Sequence, residues 1–254
     1  MQDLRVTLVQ ANQVWEDPSA NFENYTKLLE GVETDLILLP EMFHTCFSMN
    51  LALADPYDGN ATVQWLKDLS KAKDSAIYTS LMVKDSDRYF NRGVFITPSG
   101  DISTYDKRKT FGMAKEDENF ASGQDATIVS YKDWNFNLQI CYDLRFPEIA
   151  RNKISNQSPM YDVLLYVANW PQKRSVHWKS LLRARAIENQ CFVVGVNRVG
   201  TDGNGFEYSG DSRLIDALGQ EHLLEQGKEM TQTFVMKKGE LEVIREKLPF
   251  LKDA

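Results

Sequence analysis

The sequence has few cysteines and histidines, and neither type forms a recognisable metal-binding pattern. The three cysteines (Cys46, Cys141 and Cys191) are widely spaced, the three histidines are scattered, and no CxxC pair is present. Zinc sites and disulfide frameworks need clustered or regularly spaced ligands, so we predict neither. An odd set of isolated cysteines is typical of a reducing compartment, and we expect a cytoplasmic protein.

Long apolar runs and an excess of basic charge are also absent. No run approaches the roughly 20 apolar residues of a membrane span. The opening residues, MQDLRVTLVQ, lack the basic, apolar and small-residue regions of a signal peptide. The net charge is −7, whereas proteins that follow nucleic-acid phosphates usually carry a basic stripe. We therefore expect neither a membrane nor a nucleic acid as a partner.

What is present is a globular composition in which helix and strand patterns alternate. The chain has 254 residues, 43% hydrophobic and 26% charged, without internal repeats or a low-complexity linker. We predict a single domain over residues 1–254. Predicted strands cover residues 4–9, 36–39, 76–82, 89–97, 102–105, 126–131, 134–140, 163–168, 191–197, 211–216 and 231–235. Predicted helices cover residues 19–30 with Ser19 as the cap, 62–73, 147–153, 174–189 and 237–246, and residues 113–124 form a loop.

The order of these elements predicts the fold class. β-α-β units alternate with hairpins, so the sheets should be mixed rather than purely parallel. About a dozen strands would overfill one open sheet, which favours two packed sheets with helices outside. The sequence therefore predicts an α/β sandwich.

The stretch LQICYDLRFPE, residues 138–148, contains the first candidate for chemistry. An apolar alternating run ends abruptly at Cys141, and Pro147 suits the first turn of a helix. Reactive groups in α/β folds lie at the carboxyl ends of strands beside helix N-termini, where the helix dipole favours a thiolate. Cys141 is therefore a candidate nucleophile, with ordinary core packing of a small thiol as the alternative.

Two charged residues follow predicted strands in the same way. Glu41 comes directly after residues 36–39 and Pro40, and Lys107 follows residues 102–105. A carboxylate that takes the thiol proton and an ammonium that stabilises an oxyanion would form an acyl-transfer site with the thiol. The spacing alone does not show that these residues meet. A solvated Glu41 and a surface Lys107 are the alternatives.

A second arrangement from the same residues is a Cys–His pair. In that arrangement His177 or His44 acts as the base. His44 lies only three residues from Glu41. The residues themselves leave this choice open.

Six stretches spread along nearly the whole chain are informative together: LLPEMF (Leu38–Phe43), YDKR (Tyr105–Arg108), ICYDLRFPE (Ile140–Glu148), ANWP (Ala168–Pro171), HWKSLLRARAIENQ (His177–Gln190) and VNRVGTDGNG (Val196–Gly205). Through them the chain resembles the nitrilase, or carbon–nitrogen hydrolase, superfamily, and in particular its bacterial omega-amidase branch. Their combination is specific, whereas any one stretch alone is not. The resemblance implies a four-layer α-β-β-α sandwich, no metal or organic cofactor, and assembly into homodimers or larger homo-oligomers.

The resemblance also implies roles for individual residues. It makes Glu41 the general base, Lys107 the cation that stabilises the oxyanion, and Cys141 the nucleophile. The backbone N–H of Tyr142 would complete the oxyanion hole. The family's second glutamate, which would orient the lysine and the substrate, falls at Glu116.

Two features leave part of this site open. Glu118 lies two residues after Glu116 and is the alternative for the second glutamate. Relatives in this branch usually read KRHLF after the tyrosine motif, whereas this chain reads KRKTF, with Lys109 in place of the histidine. The difference leaves Lys107 in place and concerns the neighbouring pocket wall.

The activity implied by the resemblance is hydrolysis of a small linear carboxamide through a cysteine thioester. Substrates in this branch are omega-amides of 2-oxo dicarboxylic acids, such as 2-oxoglutaramate or 2-oxosuccinamate. Their distal carboxylate needs a cation or a cluster of N–H donors. Lys173, Arg174 and Arg145 are the candidate cations, and Trp170 is a candidate pocket wall. The alternatives are a nitrile, an N-carbamoyl amine or deaminated glutathione at the same site, or a non-catalytic binding module on the same fold.

Overall fold

The computed structural model describes residues 2–57 and 59–253. In chain order, its strands are β1 (Leu4–Gln10), β2 (Leu36–Leu38), β3 (Asp55–Pro56), β4 (Ala76–Asp85), β5 (Arg88–Ile96), β6 (Ile102–Asp106), β7 (Ile128–Tyr131), β8 (Trp134–Ile140), β9 (Ile154–Ser155), β10 (Ser158–Pro159), β11 (Val163–Ala168), β12 (Phe192–Asn197), β13 (Val199–Thr201), β14 (Glu207–Ser209), β15 (Arg213–Ile215), β16 (Glu221–Leu223) and β17 (Met230–Met236). The α-helices are α1 (Pro18–Leu28), α2 (Ala61–Lys73), α3 (Glu116–Asn119), α4 (Ser175–Asn189) and α5 (Lys238–Lys247).

Two large sheets of mixed direction contain most of these strands. The first has the order β17-β1-β2-β4-β5-β6, with β3 paired to β4, and the second has the order β16-β15-β12-β11-β8-β7. In the first sheet β1, β2 and β4 are parallel and the outer strands β17, β5 and β6 run antiparallel to their neighbours. In the second sheet β8, β11 and β12 are parallel, flanked by antiparallel β7, β15 and β16. The predicted mixed sheets are confirmed.

The two sheets pack face to face, and helices cover their outer faces. Because side chains alternate along a strand, each sheet has an inner and an outer apolar face. The Phe95 and Phe136 rings meet between the sheets, with their centroids 5.7 Å apart. Helices α1 and α2 cover the first sheet. Helix α4 covers the second at Gly195, where an added Cβ would lie 2.5 Å from Leu182 Cδ1. The expected four-layer α-β-β-α sandwich is confirmed.

Three local predictions differ from the structure. Helix α1 is capped by Asp17, whose side chain accepts the Ala20 N–H at 3.0 Å, so Ser19 is not the cap. The predicted helix over residues 147–153 is wrong: only a single turn forms at Pro147–Ile149. The Asn152 N–H donates to Asn189 Oδ1 at 2.8 Å and is therefore lost to any helical ladder. The loop over residues 113–124 contains the short helix α3.

Within the described ranges, no helix combines the length and the apolar character needed to cross a membrane.

Candidate active site

The carboxyl ends of four strands converge at one edge of the sandwich. Cys141 directly follows β8 and Asn169 directly follows β11, while Lys107 follows β6 and Glu41 follows β2 after two residues. Strands β8 and β11 are parallel neighbours, which places Cys141 Sγ 4.0 Å from the Asn169 carbonyl oxygen. The topology thus brings residues that are far apart in the sequence to a single point.

Lys107 lies between two buried carboxylates. Its Nζ is 2.8 Å from Glu41 Oε1 and 2.9 Å from both Oε1 and Oε2 of Glu116. Burial lowers the pKa of Lys107, but the charges of Glu116 and Glu41 outweigh it and raise that pKa above its ordinary value, so the ammonium stays protonated. Burial and the charge of Glu41 raise the pKa of Glu116. Glu118 is exposed and lies 3.9 Å from the Lys115 ammonium, so Glu116 is the glutamate that contacts Lys107.

Two asparagines hold the Glu41 carboxylate from other sides. Asn91 Nδ2 donates to Glu41 Oε1 at 2.8 Å and to Glu116 Oε1 at 3.0 Å. The backbone N–H of Asn169 donates to Glu41 Oε2 at 2.9 Å, and its side-chain Nδ2 donates to the Glu41 carbonyl oxygen at 2.6 Å. The sequence reasoning missed both residues. The position of Asn169 directly after an apolar strand is the kind of signal that singled out Cys141, whereas Asn91 lies inside β5 and offers none.

The turn at Cys141 has an unusual backbone conformation. Cys141 has φ 43°, in the left-handed region that residues with a Cβ seldom adopt. The Asp143 carboxylate supports the turn, because it accepts the Ile140 N–H at 3.0 Å and the Lys109 N–H and Tyr105 O–H at 2.9 Å each. Burial raises the pKa of Asp143 to about 6. The Asp143 carboxylate therefore connects the turn at Cys141 to the segment that carries Lys107.

Lys109 stands where relatives usually have a histidine. Its main contact with the site is its backbone N–H, which donates to Asp143 Oδ1. Its ammonium lies 4.7 Å from the centroid of the Phe146 ring and 3.8 Å from Glu148 Oε1.

The Cys141 thiol is protonated at rest. Burial and the negative charge of Glu41 raise its pKa well above the ordinary value, and the positive charge of Lys107 offsets only part of this effect. The expectation that a helix dipole at Cys141 favours a thiolate is wrong, whereas Lys107 does lower the pKa of the thiol. The residues after Cys141 form a short 3₁₀ turn, Cys141–Arg145, rather than an α-helix, and two carboxylates lie near the sulfur.

Neither candidate histidine contacts the cysteine. His44 is buried without a hydrogen-bond partner for either ring nitrogen within the described residues, and burial lowers its pKa to about 3. His177 is exposed, and its Nδ1 lies 3.3 Å from the guanidinium nitrogens of Arg145. A Cys–His pair with either residue is therefore not formed in this structure.

A cavity of about 520 Å³ adjoins this cluster, and both Cys141 and Lys107 line it. Three of the four predicted substrate-binding residues also line it: Arg145, Trp170 and Arg174. Lys173 is exposed and is not among the lining residues. Both arginines lie over aromatic rings, Arg145 4.6 Å from the centroid of Trp170 and Arg174 5.4 Å from that of Phe111.

The charged groups of this cavity differ in whether they have partners. Within the described parts of the chain, neither guanidinium forms an ion pair. The two acidic lining residues are already hydrogen-bonded. Asp202 accepts the Asn204 and Phe206 N–H groups and the Tyr208 O–H, and Glu16 accepts from Ser48 and Asn50. The two arginines of the cavity therefore have no acidic partner among the described residues, whereas both carboxylates accept hydrogen bonds from the protein.

Comparison with known proteins places this geometry in a family. The carbon-nitrogen hydrolase family model matches residues 5–235. "Omega-amidase YafV" of Yersinia enterocolitica is 43% identical over 221 residues, which cover 87% of this chain and 84% of that protein. "2-oxoglutaramate amidase" of Bacillus subtilis is 31% identical, covering 88% of this chain and 86% of its own.

A solved structure supports the same assignment. XC1258 of Xanthomonas campestris, a CN-hydrolase superfamily protein with an arsenic adduct in its active site, superposes with a TM-score of 0.97 at 40% identity. The match covers 100% of this chain and 98% of that one. The chain therefore belongs to the carbon–nitrogen hydrolase family and is an enzyme that hydrolyses amide bonds.

Proposed function

We propose that the enzyme hydrolyses the omega-amide of a short 2-oxo dicarboxylic acid to the acid and ammonia through a thioester on Cys141. The observation that carries the proposal is the meeting of the Glu41–Lys107–Glu116 cluster with Cys141, beside a cavity lined by two guanidinium groups that have no ion-pair partner among the described residues. The names of the relatives, omega-amidase and 2-oxoglutaramate amidase, support the substrate class.

Glu41 is suited to receive the thiol proton. A carboxylate has about four acceptor positions, and three on Glu41 are filled by Asn91, Lys107 and the Asn169 N–H. The position that is left can accept the proton of the Cys141 thiol, whose pKa is raised by burial and by the negative charge of Glu41. A neutral thiol beside a fixed carboxylate is the starting state for general-base catalysis, because the proton leaves only as the sulfur attacks.

In the first half-reaction, Cys141 Sγ bonds to the amide carbon while its proton passes to Glu41. The carbonyl oxygen becomes an oxyanion, stabilised by the Lys107 ammonium and the Tyr142 N–H. Glu41 then returns the proton to the nitrogen, the carbon–nitrogen bond breaks, and ammonia leaves a thioester behind.

In the second half-reaction, Glu41 takes a proton from water as the water oxygen attacks the thioester carbon. The carbon–sulfur bond breaks, and the proton on Glu41 returns to the Cys141 sulfur. The acid product departs, and the free enzyme is restored.

Glu116 allows Lys107 to turn toward the oxyanion. The lysine ammonium has three protons, and its hydrogen bonds within the described residues go to Glu41 and Glu116. Glu116 Oε2 also accepts the Phe111 N–H at 2.6 Å, so this oxygen keeps a partner when the lysine shifts. The buried Glu116 carboxylate therefore orients the Lys107 ammonium but does not bind all three of its protons.

The free cations of the cavity suit the distal carboxylate of such a substrate. Arg145 and Arg174 can each donate charge-assisted hydrogen bonds to a carboxylate. Glu16 and Asp202 already accept hydrogen bonds from protein donors, so a substrate ammonium would have to share these carboxylates with them. Together these features favour a 2-oxo acid amide over an amino acid amide such as glutamine.

Ammonia release from a panel of compounds tests the proposal. The panel contains 2-oxoglutaramate, 2-oxosuccinamate, glutamine, a nitrile, an N-carbamoyl amine and deaminated glutathione, with the Cys141→Ala variant as the control. We expect the two 2-oxo acid amides to give the highest kcat/KM and the variant to give no turnover. A preference for another member of the panel would overturn the substrate class. No turnover of any amide by wild type would favour a non-catalytic binding module.

A further inference from the structure

Asn91 contacts all three charged residues of the cluster. It lies in β5 opposite Lys107 and is only 1% exposed. Its carbonyl oxygen accepts the Lys107 backbone N–H at 3.0 Å. Its side-chain Nδ2 donates to Glu41 Oε1 at 2.8 Å and to Glu116 Oε1 at 3.0 Å. This one residue therefore links the lysine backbone to both carboxylates.

The electrostatics of the cluster explain why an amide is suited to this position. Two carboxylates share a single ammonium in a buried site, so like charges are held close together. A neutral NH₂ group donates to both carboxylates at once and adds no charge. An aspartate of the same shape would instead place a third carboxylate against the first two.

The orientation of the Asn91 amide follows from the same contacts. Its Oδ1 is buried and has no hydrogen-bond partner within the described residues. Turning the amide over would direct this oxygen at Glu41 Oε1 and Glu116 Oε1, which accept hydrogen bonds and donate none. A buried oxygen without a hydrogen-bond partner normally lowers the stability of a folded protein. In Asn91 the two hydrogen bonds from Nδ2 to the carboxylates offset this loss.

We propose that Asn91 is a positioning residue for the amide hydrolysis set out above, one that fixes the distance between the Glu41 and Glu116 carboxylates around Lys107. The inference rests on that proposed function. Asn91 does not line the cavity, so it acts through the carboxylates and not on the substrate. When Lys107 turns toward an oxyanion, the two bonds from Asn91 remain, and Glu41 stays aligned with the thiol.

A positioning role predicts that substitutions at Asn91 lower kcat and leave KM nearly unchanged. Displacing a catalytic group by about 1 Å can cost about 10²-fold in rate, whereas substrate binding through the cavity wall is untouched. We expect Asn91→Asp to lower kcat by about 100-fold with KM close to that of wild type. We expect Asn91→Ala, which removes the two bonds without adding charge, to lower kcat less, by about tenfold.

The rate of Cys141 alkylation by iodoacetamide as a function of pH is a second readout that needs no turnover. An added carboxylate at position 91 raises the pKa of the nearby thiol, so the midpoint for Asn91→Asp should move to higher pH. Asn91→Ala should move it much less. This difference reports on the charge of the cluster and not on overall stability.

Asn152→Ala is the matched control. Asn152 is buried away from the cavity, and its Nδ2 also bridges two oxygens, the carbonyls of Tyr161 and Asn189, at 3.1 Å each. We expect this variant to lower the melting temperature and to leave kcat, KM and the alkylation profile at wild-type values.

The outcomes separate the positioning role from a structural one and from failure of the proposed function. Wild-type kcat and a wild-type alkylation profile in folded Asn91→Asp or Asn91→Ala would overturn the positioning role. So would a loss of kcat in Asn152→Ala equal to that in Asn91→Ala. If wild type releases no ammonia from any amide, the proposed function fails. The positioning role, which rests on that function, then fails with it, whereas an active wild type with unchanged kcat in both Asn91 variants rejects the positioning role alone.

Discussion

Replacing Arg174 with glutamine removes one of the two guanidinium groups of the cavity that have no ion-pair partner. The substitution leaves the Arg174 backbone carbonyl, which accepts the Trp170 indole N–H at 2.8 Å, so the aromatic wall keeps its support. The guanidinium lies over the Phe111 ring and is partly exposed, so no packed core depends on it. The change therefore removes a charge from the cavity with little effect on the fold.

The size of the effect follows from the bond that is lost. A hydrogen bond to a charged group contributes about 1.5–3 kcal/mol, which corresponds to about a 10- to 150-fold change in an equilibrium constant. A distal carboxylate held by Arg174, as proposed, would interact with it equally in the ground state and the transition state. The loss should therefore raise KM and leave kcat nearly unchanged.

Steady-state ammonia release measures this effect with two substrates and one control. The substrates are 2-oxoglutaramate and a neutral primary amide of similar length, and the control is Lys173→Gln, which removes the adjacent cation that does not line the cavity. We expect Arg174→Gln to raise KM for the anionic amide only, and Lys173→Gln to change neither substrate. An equal loss with the neutral amide would refute carboxylate binding at Arg174, and so would a larger effect of Lys173→Gln.

Two other substitutions test the charged cluster. Glu41→Gln should abolish ammonia release and, because the Glu41 charge raises the pKa of Cys141, should move the midpoint of iodoacetamide labelling to lower pH. Retained turnover or a midpoint shifted upward would contradict the role of Glu41 as base. Lys107→Met leaves Glu41 and Glu116 as buried carboxylates without a counter-ion, so urea unfolding should give a free energy of unfolding lower by about 3–5 kcal/mol. An unchanged free energy of unfolding would mean that the buried ion pairs do not have the ionisation described for them.

Much of the fold follows from short-range patterns in the sequence. The continuous apolar run at Val163–Ala168 predicts a strand buried on both faces, and the turn at Pro98–Gly100 predicts the hairpin of β5 and β6; both are confirmed. The positions at which helices begin and end are less predictable from the sequence. Asp17 caps α1 because Pro18 fixes the first helical turn, and the pattern of residues 147–153 gives no sign that Asn189 captures the Asn152 N–H.

The candidate site also contains residues that local sequence patterns predict and residues that they do not. Glu41, Lys107 and Cys141 stand out because each follows an apolar strand, and the structure brings all three together. Their catalytic roles stay predictions. Glu116 came from the resemblance alone, because a glutamate in a polar loop has no signal of its own.

The protonation of the thiol and the contacts of Asn91 depend on distances across the fold. Asn91 donates to carboxylates 50 and 25 positions away, and the Glu41 charge that raises the pKa of Cys141 comes from still farther along the chain, so no local pattern contains either effect. Which of Lys173 and Arg174 lines the cavity likewise depends on the short turn at Gln172–Arg174. Their residue types alone do not show it.

The most direct test of the central claim, attack by Cys141 on the amide carbon, is peptide mass spectrometry of enzyme quenched with acid during turnover of 2-oxoglutaramate. We expect one cysteine-containing peptide, the one with Cys141, to gain the mass of the acyl group, and Cys141→Ala to show neither the adduct nor ammonia release. An acyl group on Cys46 or Cys191, or ammonia release by Cys141→Ala, would contradict it.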